Sequence, residues 1–189
     1  MALQKKDRDA PDDKAHPFFT IGHSNRSIEE FIGILHGAQI GIVVDVRRLP
    51  GSRTYPHFDS DRLANSLAEA QIGYELISPL GGRRRKVGFV APETNGAWRN
   101  KSFHNYADYA LGGDFRAGLR RLIEIGHQRR CAFMCSEAVW WRCHRRIIAD
   151  HLLGRGLEVF HLMEAGRQEV AVPTSEAVFR DGTVIYPAP

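Results

Sequence analysis

One stretch of the chain, Cys135-Ser136-Glu137-Ala138-Val139-Trp140-Trp141-Arg142-Cys143-His144-Arg145-Arg146, carries most of the residue types that do chemistry. Two thiols, a carboxylate, an imidazole and arginines fall within twelve positions, and three chemistries compete for them. A cysteine phosphatase or rhodanese-like loop needs an arginine closing an anion cradle a few residues after the cysteine. The phosphatase spacing of about five from Cys135 falls on Trp141, which argues against that loop. A zinc site would use Cys135, Cys143 and His144. The spacing predicts a helix from about Ala138 to Leu153, and adjacent helical residues point about 100° apart. There is no second Cys/His pair, so no metal ligand set and no cofactor are expected. The third chemistry is preferred: Glu137 and His144 as acid and base beside a phosphate held by arginine. The plain structural alternative makes Cys135 and Cys143 small buried hydrophobes and Glu137–Arg145 an ion pair.

Other candidates fall where apolar runs end. Gly22-His23-Ser24 follows PFFTIG, Asp45-Val46-Arg47-Arg48 closes GIVVDV, and Gly81-Gly82-Arg83 follows YELISPL. His161 lies in LEVFHL. Asp45 is read either as half of a structural ion pair or as a base or orienting group; His23 is a candidate to assist. Ser24, Arg47, Arg48, Arg53, Gly81, Gly82, Arg83 and Arg145 are candidate phosphate contacts. Between Gly81 and Phe103, six bases oppose one acid, Glu93. Trp98, Phe103, Tyr106 and Tyr109 follow closely. Cations interleaved with rings suit single strands or flipped bases, with Arg84, Arg99 and Trp98 as contacts. The alternative is a solvated loop whose aromatics form the core face of the next helix, which Tyr106 and Tyr109 fit by spacing.

The elements that position these residues follow from periodicity. Strands are predicted at 17–22, 41–46, 74–80, 131–135 and 157–162. A helix capped by Ser27 follows the first, and one capped by Asp59 or Ser60 follows the second. Residues 81–101 read as a loop and 106–128 as mostly helical with a break at Gly112-Gly113. Asp181-Gly182 between apolar pairs predicts a small C-terminal hairpin. Alternation of this kind predicts a single α/β domain over 17–189. It has a mainly parallel, Rossmann-like open sheet of about five strands, with helices on both faces. Ligands of such sheets bind beyond the carboxyl ends of the strands, where the candidates gather.

Composition sets the class. The chain has 189 residues, 43% hydrophobic and 25% charged, with a formal net charge of +4. No apolar run reaches the ~20 residues of a membrane helix. Residues 1–16 are charged, contain proline and read as a loose tail rather than a signal peptide. Three cysteines without a Cys-x-x-Cys pair point to a reducing, cytoplasmic setting.

TIGHSNRSIEEF, VDVRRLPGSR, the LGGRRR to GAWRNKSFHNYADY stretch, CSEAVWWRCHRR and VPTSEAVFRDGTVIYP together resemble the domain of unknown function 488 family, over residues 18 to about 187. The family's Cys-x-Glu…Cys-His-Arg pattern is met by Cys135, Glu137, Cys143, His144 and Arg145. Some members carry a DNA-repair label. The expectation is therefore a nucleic-acid-handling enzyme, of hydrolase or glycosylase type, with DNA or RNA as partner. The alternatives are a hydrolase of a small phosphorylated or nucleoside-like metabolite, and an anion- or nucleic-acid-binding module without chemistry.

Overall fold

A computed structural model of the chain describes residues 16–51 and 53–188. The predicted tail therefore lies outside the described residues, His16 excepted.

The strands are β1 (Phe18–Gly22), β2 (Ile42–Asp45), β3 (Gly73–Leu76), β4 (Cys131–Cys135), β5 (Val159–Glu164) and β6 (Arg167–Val170), in the order β3-β2-β4-β1-β5-β6. The first five run parallel; β6 is antiparallel to β5. This is the expected mainly parallel α/β sheet with one strand more. β6, Arg-Gln-Glu-Val, is a largely exposed edge, so it carries no apolar alternation to read.

Successive side chains of the inner strands leave on opposite faces. Phe19, Ile21, Val43, Ala132 and Met134 pack under α1 (Ile28–Gly37) and α2 (Ser60–Glu69). Phe18, Val44, Cys131 and Phe133 pack under α3 (Lys101–Ala110), α4 (Gly113–Gln128) and α5 (Arg145–Leu153). Ser27 starts α1 with a reciprocal capping box to Glu30, as its sequence suggests. The terminal hairpin, β7 (Val178–Arg180) and β8 (Thr183–Ile185), turns through Asp181 and Gly182, both at positive φ as a two-residue I′ turn requires.

Three boundaries differ from expectation. The third strand stops at Leu76, and Ser78–Leu80 forms a 3₁₀ turn because Pro79 has no N–H to continue a ladder. α3 begins five residues early, at Lys101, since the Asn100 side chain accepts from the N–H groups of Ser102 and Phe103. The helix predicted from Ala138 begins only at Arg145. Residues 140–142 make one 3₁₀ turn and Cys143 is extended. Tertiary partners explain the delay. The Trp140 ring stacks on His161 at 4.2 Å, and the Arg145 guanidinium takes the Glu137 carbonyl that a continuing helix would have used.

Candidate functional site

The ends of β1, β2 and β4, the three central strands, open into a cleft of about 1090 Å³. Nine of the candidates line it: His23, Ser24, Arg47, Arg48, Gly82, Arg83, Cys135, Glu137 and His144. Cys143 lines it too. Phe103 and Tyr106, two of the candidate rings, line it as well, and Arg142 and Asn100 join them without having been singled out for it. Arg142 lies within the Cys135–Arg146 stretch but carried no separate signal in the sequence.

Below the β2 end, Asp45 and Arg47 form one buried unit. Arg47 Nε donates to both carboxylate oxygens at 2.9 and 3.0 Å, Nη2 to Oδ2 at 2.6 Å, and its backbone N–H to Oδ1 at 2.9 Å. The Tyr74 hydroxyl adds a fifth bond to Oδ2 at 2.8 Å. Burial and the neighbouring Asp45 charge push the Tyr74 phenol upward, so it stays a donor. Of its two readings, Asp45 takes the first: it is half of a buried ion pair, with both oxygens bonded by Arg47 and one of them also by Tyr74. Arg47 Nη1 faces His23 Nε2 at 3.4 Å. Burial lowers His23 to about 4, and its Nδ1–H donates to the Ser24 carbonyl at 2.9 Å. A neutral imidazole is thus held with Nε2 as its acceptor. Ser24 and Arg83, on the cleft wall, are both left-handed (φ 50° and 54°), a conformation costing a non-glycine residue about 1–2 kcal/mol.

Under the β4 end the chemistry differs. Because Cys143 and His144 precede α5 instead of lying within it, their side chains converge with Cys135. His144 Nδ1 lies 3.6 Å from Cys143 Sγ and 4.0 Å from Cys135 Sγ, and the three ligand atoms are all within 4.8 Å of one another. The objection that adjacent helical residues diverge does not apply. His144 Nε2–H donates to the Val46 carbonyl at 2.9 Å, which leaves Nδ1 with its lone pair toward the thiols. Arg145 Nε points at Cys143 Sγ at 3.3 Å. Burial opposes a thiolate at Cys143, but the Cys135 hydrogen bond and the Arg145 charge outweigh it and lower the thiol to about 6. Cys135 is pushed the other way, to about 12, by its place beside Cys143 and by burial. The acidic thiol is therefore Cys143. Cys135 has no helix N-terminus directly behind it to lower its own pKa.

Glu137 is exposed and, among the described residues, the only carboxylate on the cleft lining. The expected Glu137–Arg145 pair is not a carboxylate pair: Arg145 Nη2 donates to the Glu137 backbone carbonyl at 2.6 Å. Arg145 is buried beneath the cleft floor, with Nη1 on Thr20 Oγ1 at 3.4 Å.

Trp98, Tyr109 and the remaining arginines lie off the cleft lining. Trp98 packs inward, stacked on Phe103 at 4.9 Å and edge-on to Tyr186 at 5.1 Å, with the Arg146 guanidinium over its ring. Tyr106 and Tyr109 tie their hydroxyls to the Leu80 and Pro79 carbonyls. Base stacking on Trp98 and Tyr109 gives way to core packing, as the spacing of the tyrosines allowed. Arg84 covers the Tyr109 ring at 4.0 Å and caps the Ser78 and Gly81 carbonyls. Arg99 is exposed away from the lining, and Arg53 lines a neighbouring hollow that shares Leu49 and Gly51 with the cleft. Gly81 and Gly82 serve close packing. A Cβ would come within 2.6 Å of Arg48 Cα at Gly81 and within 2.7 Å of His144 Nδ1 at Gly82.

Residues 27–152 match the family described as domain of unknown function DUF488. The chain belongs to this family. The match spans more than half of the sequence and takes in Cys135, Glu137, Cys143, His144 and Arg145. No curated protein and no solved structure matches the chain. Among the described residues of this DUF488 chain, no helix is long and apolar enough to cross a membrane.

Proposed function

We propose that the cleft is the active site of an enzyme acting on nucleic acid, in which arginines hold backbone phosphates and Glu137 is the acid/base of a hydrolytic or glycosylase-like step. One observation carries this reading: four arginines (Arg47, Arg48, Arg83, Arg142) and a single carboxylate face a cleft that continues into a hollow bearing Arg53. That is a cationic surface with a carboxylate in its midst. Tyr55, Phe103 and Tyr106 are aromatic side chains on the cleft lining.

A second reading, a small phosphorylated or nucleoside-like metabolite, is favoured by the inner end of the cleft. There buried Tyr106, Cys135 and Cys143 wall a deep recess.

Fluorescence anisotropy of labelled single- and double-stranded oligonucleotides across a salt series tests both, with a gel for strand cleavage and alkali-labile sites. Expected is binding that weakens steeply with salt, with Arg83→Ala and Arg142→Ala each reducing the log–log slope by about 1. Glu137→Gln should abolish product while keeping affinity. Absence of binding at low salt overturns the nucleic-acid reading, and thermal stabilisation by mononucleotides or sugar phosphates would then establish the second.

A further inference from the structure

We infer that Cys135, Cys143 and His144 form a three-ligand site for a borderline-soft divalent cation, zinc being the best match, with the fourth coordination position open to the cleft.

The donor set comes first. Two thiolates and one imidazole are a zinc or cobalt set rather than a magnesium or calcium one. Distances come second. Bonds of about 2.3 Å to sulfur and about 2.0 Å to nitrogen place a tetrahedral nitrogen and sulfur about 3.5 Å apart and two sulfurs about 3.8 Å apart. His144 Nδ1 lies 3.6 and 4.0 Å from the two sulfurs, and all three atoms lie within 4.8 Å of one another, so closure onto a metal takes rotamer adjustments of about 1 Å or less. Orientation comes third, and argues most strongly for a ligand. A metal-bound histidine characteristically gives its other N–H to a carbonyl or carboxylate, and His144 Nε2 does so to Val46. Space comes fourth. The missing side chain at Gly82 keeps the approach to Nδ1 clear, since a methyl group there would sit 2.7 Å from that nitrogen. Charge comes last: the buried Arg145 guanidinium against Cys143 offsets the second thiolate that metal binding requires.

Three protein ligands with a vacant fourth position are the pattern of catalytic rather than structural zinc. All three residues line the cleft that also holds Glu137. The metal assignment itself is independent of the proposed substrate. Metal without nucleic-acid binding would leave this site standing and remove that substrate; nucleic-acid binding without metal would do the reverse.

The test uses the full chain, purified under reducing conditions from zinc-supplemented medium, with bound metal measured by mass spectrometry and cobalt exchanged in for spectroscopy. Expected is about one zinc per chain and, with cobalt, a thiolate-to-metal charge-transfer band with tetrahedral visible absorption. Cys143→Ser and His144→Asn should each lose the band and more than about 100-fold in affinity, beyond the 10–100-fold that losing an outer partner costs. Gly82→Ala should weaken binding, while Cys131→Ala, whose thiol is buried elsewhere in the core, should retain the full band. Circular dichroism of each variant separates loss of ligand from loss of fold. The site is overturned if the native chain takes up neither metal and its thiols react equally fast with and without excess zinc. It is equally overturned if Cys143→Ser and His144→Asn bind cobalt with the native spectrum.

Discussion

Arg47 and Arg145 lie under the same cleft, 5% and 1% exposed, yet they are neutralised in different ways. Arg47 grips the Asp45 carboxylate, which Tyr74 also holds, so its charge is balanced by a bonded carboxylate. Arg145 has no carboxylate within ion-pair distance among the described residues. Its partners are a carbonyl, a hydroxyl and the Cys143 sulfur. A buried guanidinium without an anion is costly, and the cheapest anion within reach is the Cys143 thiolate. The β2 side of the cleft is thus a permanent wall. The β4 side is conditional, because its charge balance follows the state of a thiol.

Removing the anion on each side should separate the two. Asp45→Ala strands Arg47 in the interior and is expected to cost about 3–5 kcal/mol in chemical denaturation. An effect below ~1 kcal/mol would mean that water reaches Arg47 and the wall is not closed. On the other side, with a chelator present, Cys143→Ala should cost about 2–3 kcal/mol, the penalty of a charged donor left unpaired. Cys135→Ala should cost about 1 kcal/mol, as for a small buried hydrophobe. Equal losses for the two cysteines would show that Arg145 does not depend on Cys143 and would collapse the contrast.

How much of this the sequence showed depends on whether local pattern or distant contact decides. Buried strands and capped helices are local, so the parallel sheet, the Ser27 cap and the Asp181-Gly182 hairpin were readable. The rim rule then found most of the cleft, since chain polarity alone brings His23, Arg47, Cys135 and Glu137 to one edge of a parallel sheet. Residues 138–144 were misread because their helical composition is overruled by Trp140 reaching His161 and by Arg145 reaching the Glu137 carbonyl. That one error hid the convergence of Cys135, Cys143 and His144. The basic loop stays open between its two readings in the sequence for a similar reason. Arg84 and Trp98 look available in sequence but are spent on Tyr109, on carbonyls and on Tyr186, partners that no spacing reveals.

The effect expected to be smallest at neutral pH, which grows only in acid, sharpens the conditional side. His161 donates nothing to Arg145 directly but shares Thr20 with it: Thr20 Oγ1 lies 2.8 Å from His161 Nδ1 and accepts from Arg145. The ring is sandwiched against Trp140, whose Nε1–H goes to Glu169. Burial first, and the Arg145 charge second, lower His161 to about 3, against 6.5 in an unfolded chain. Between those values the unfolded state binds the extra proton, so stability must fall as pH drops from about 6.5 toward 3. His161→Gln keeps an acceptor for Thr20 and removes the titration. It should cost less than ~1 kcal/mol near pH 7.5, yet flatten the acid limb by up to about 1.4 kcal/mol per pH unit. Unfolding midpoints followed from pH 7.5 to 4 decide it. Parallel acid limbs for the two proteins would place the acid sensitivity outside the Arg145 network and leave the two walls alike in that respect.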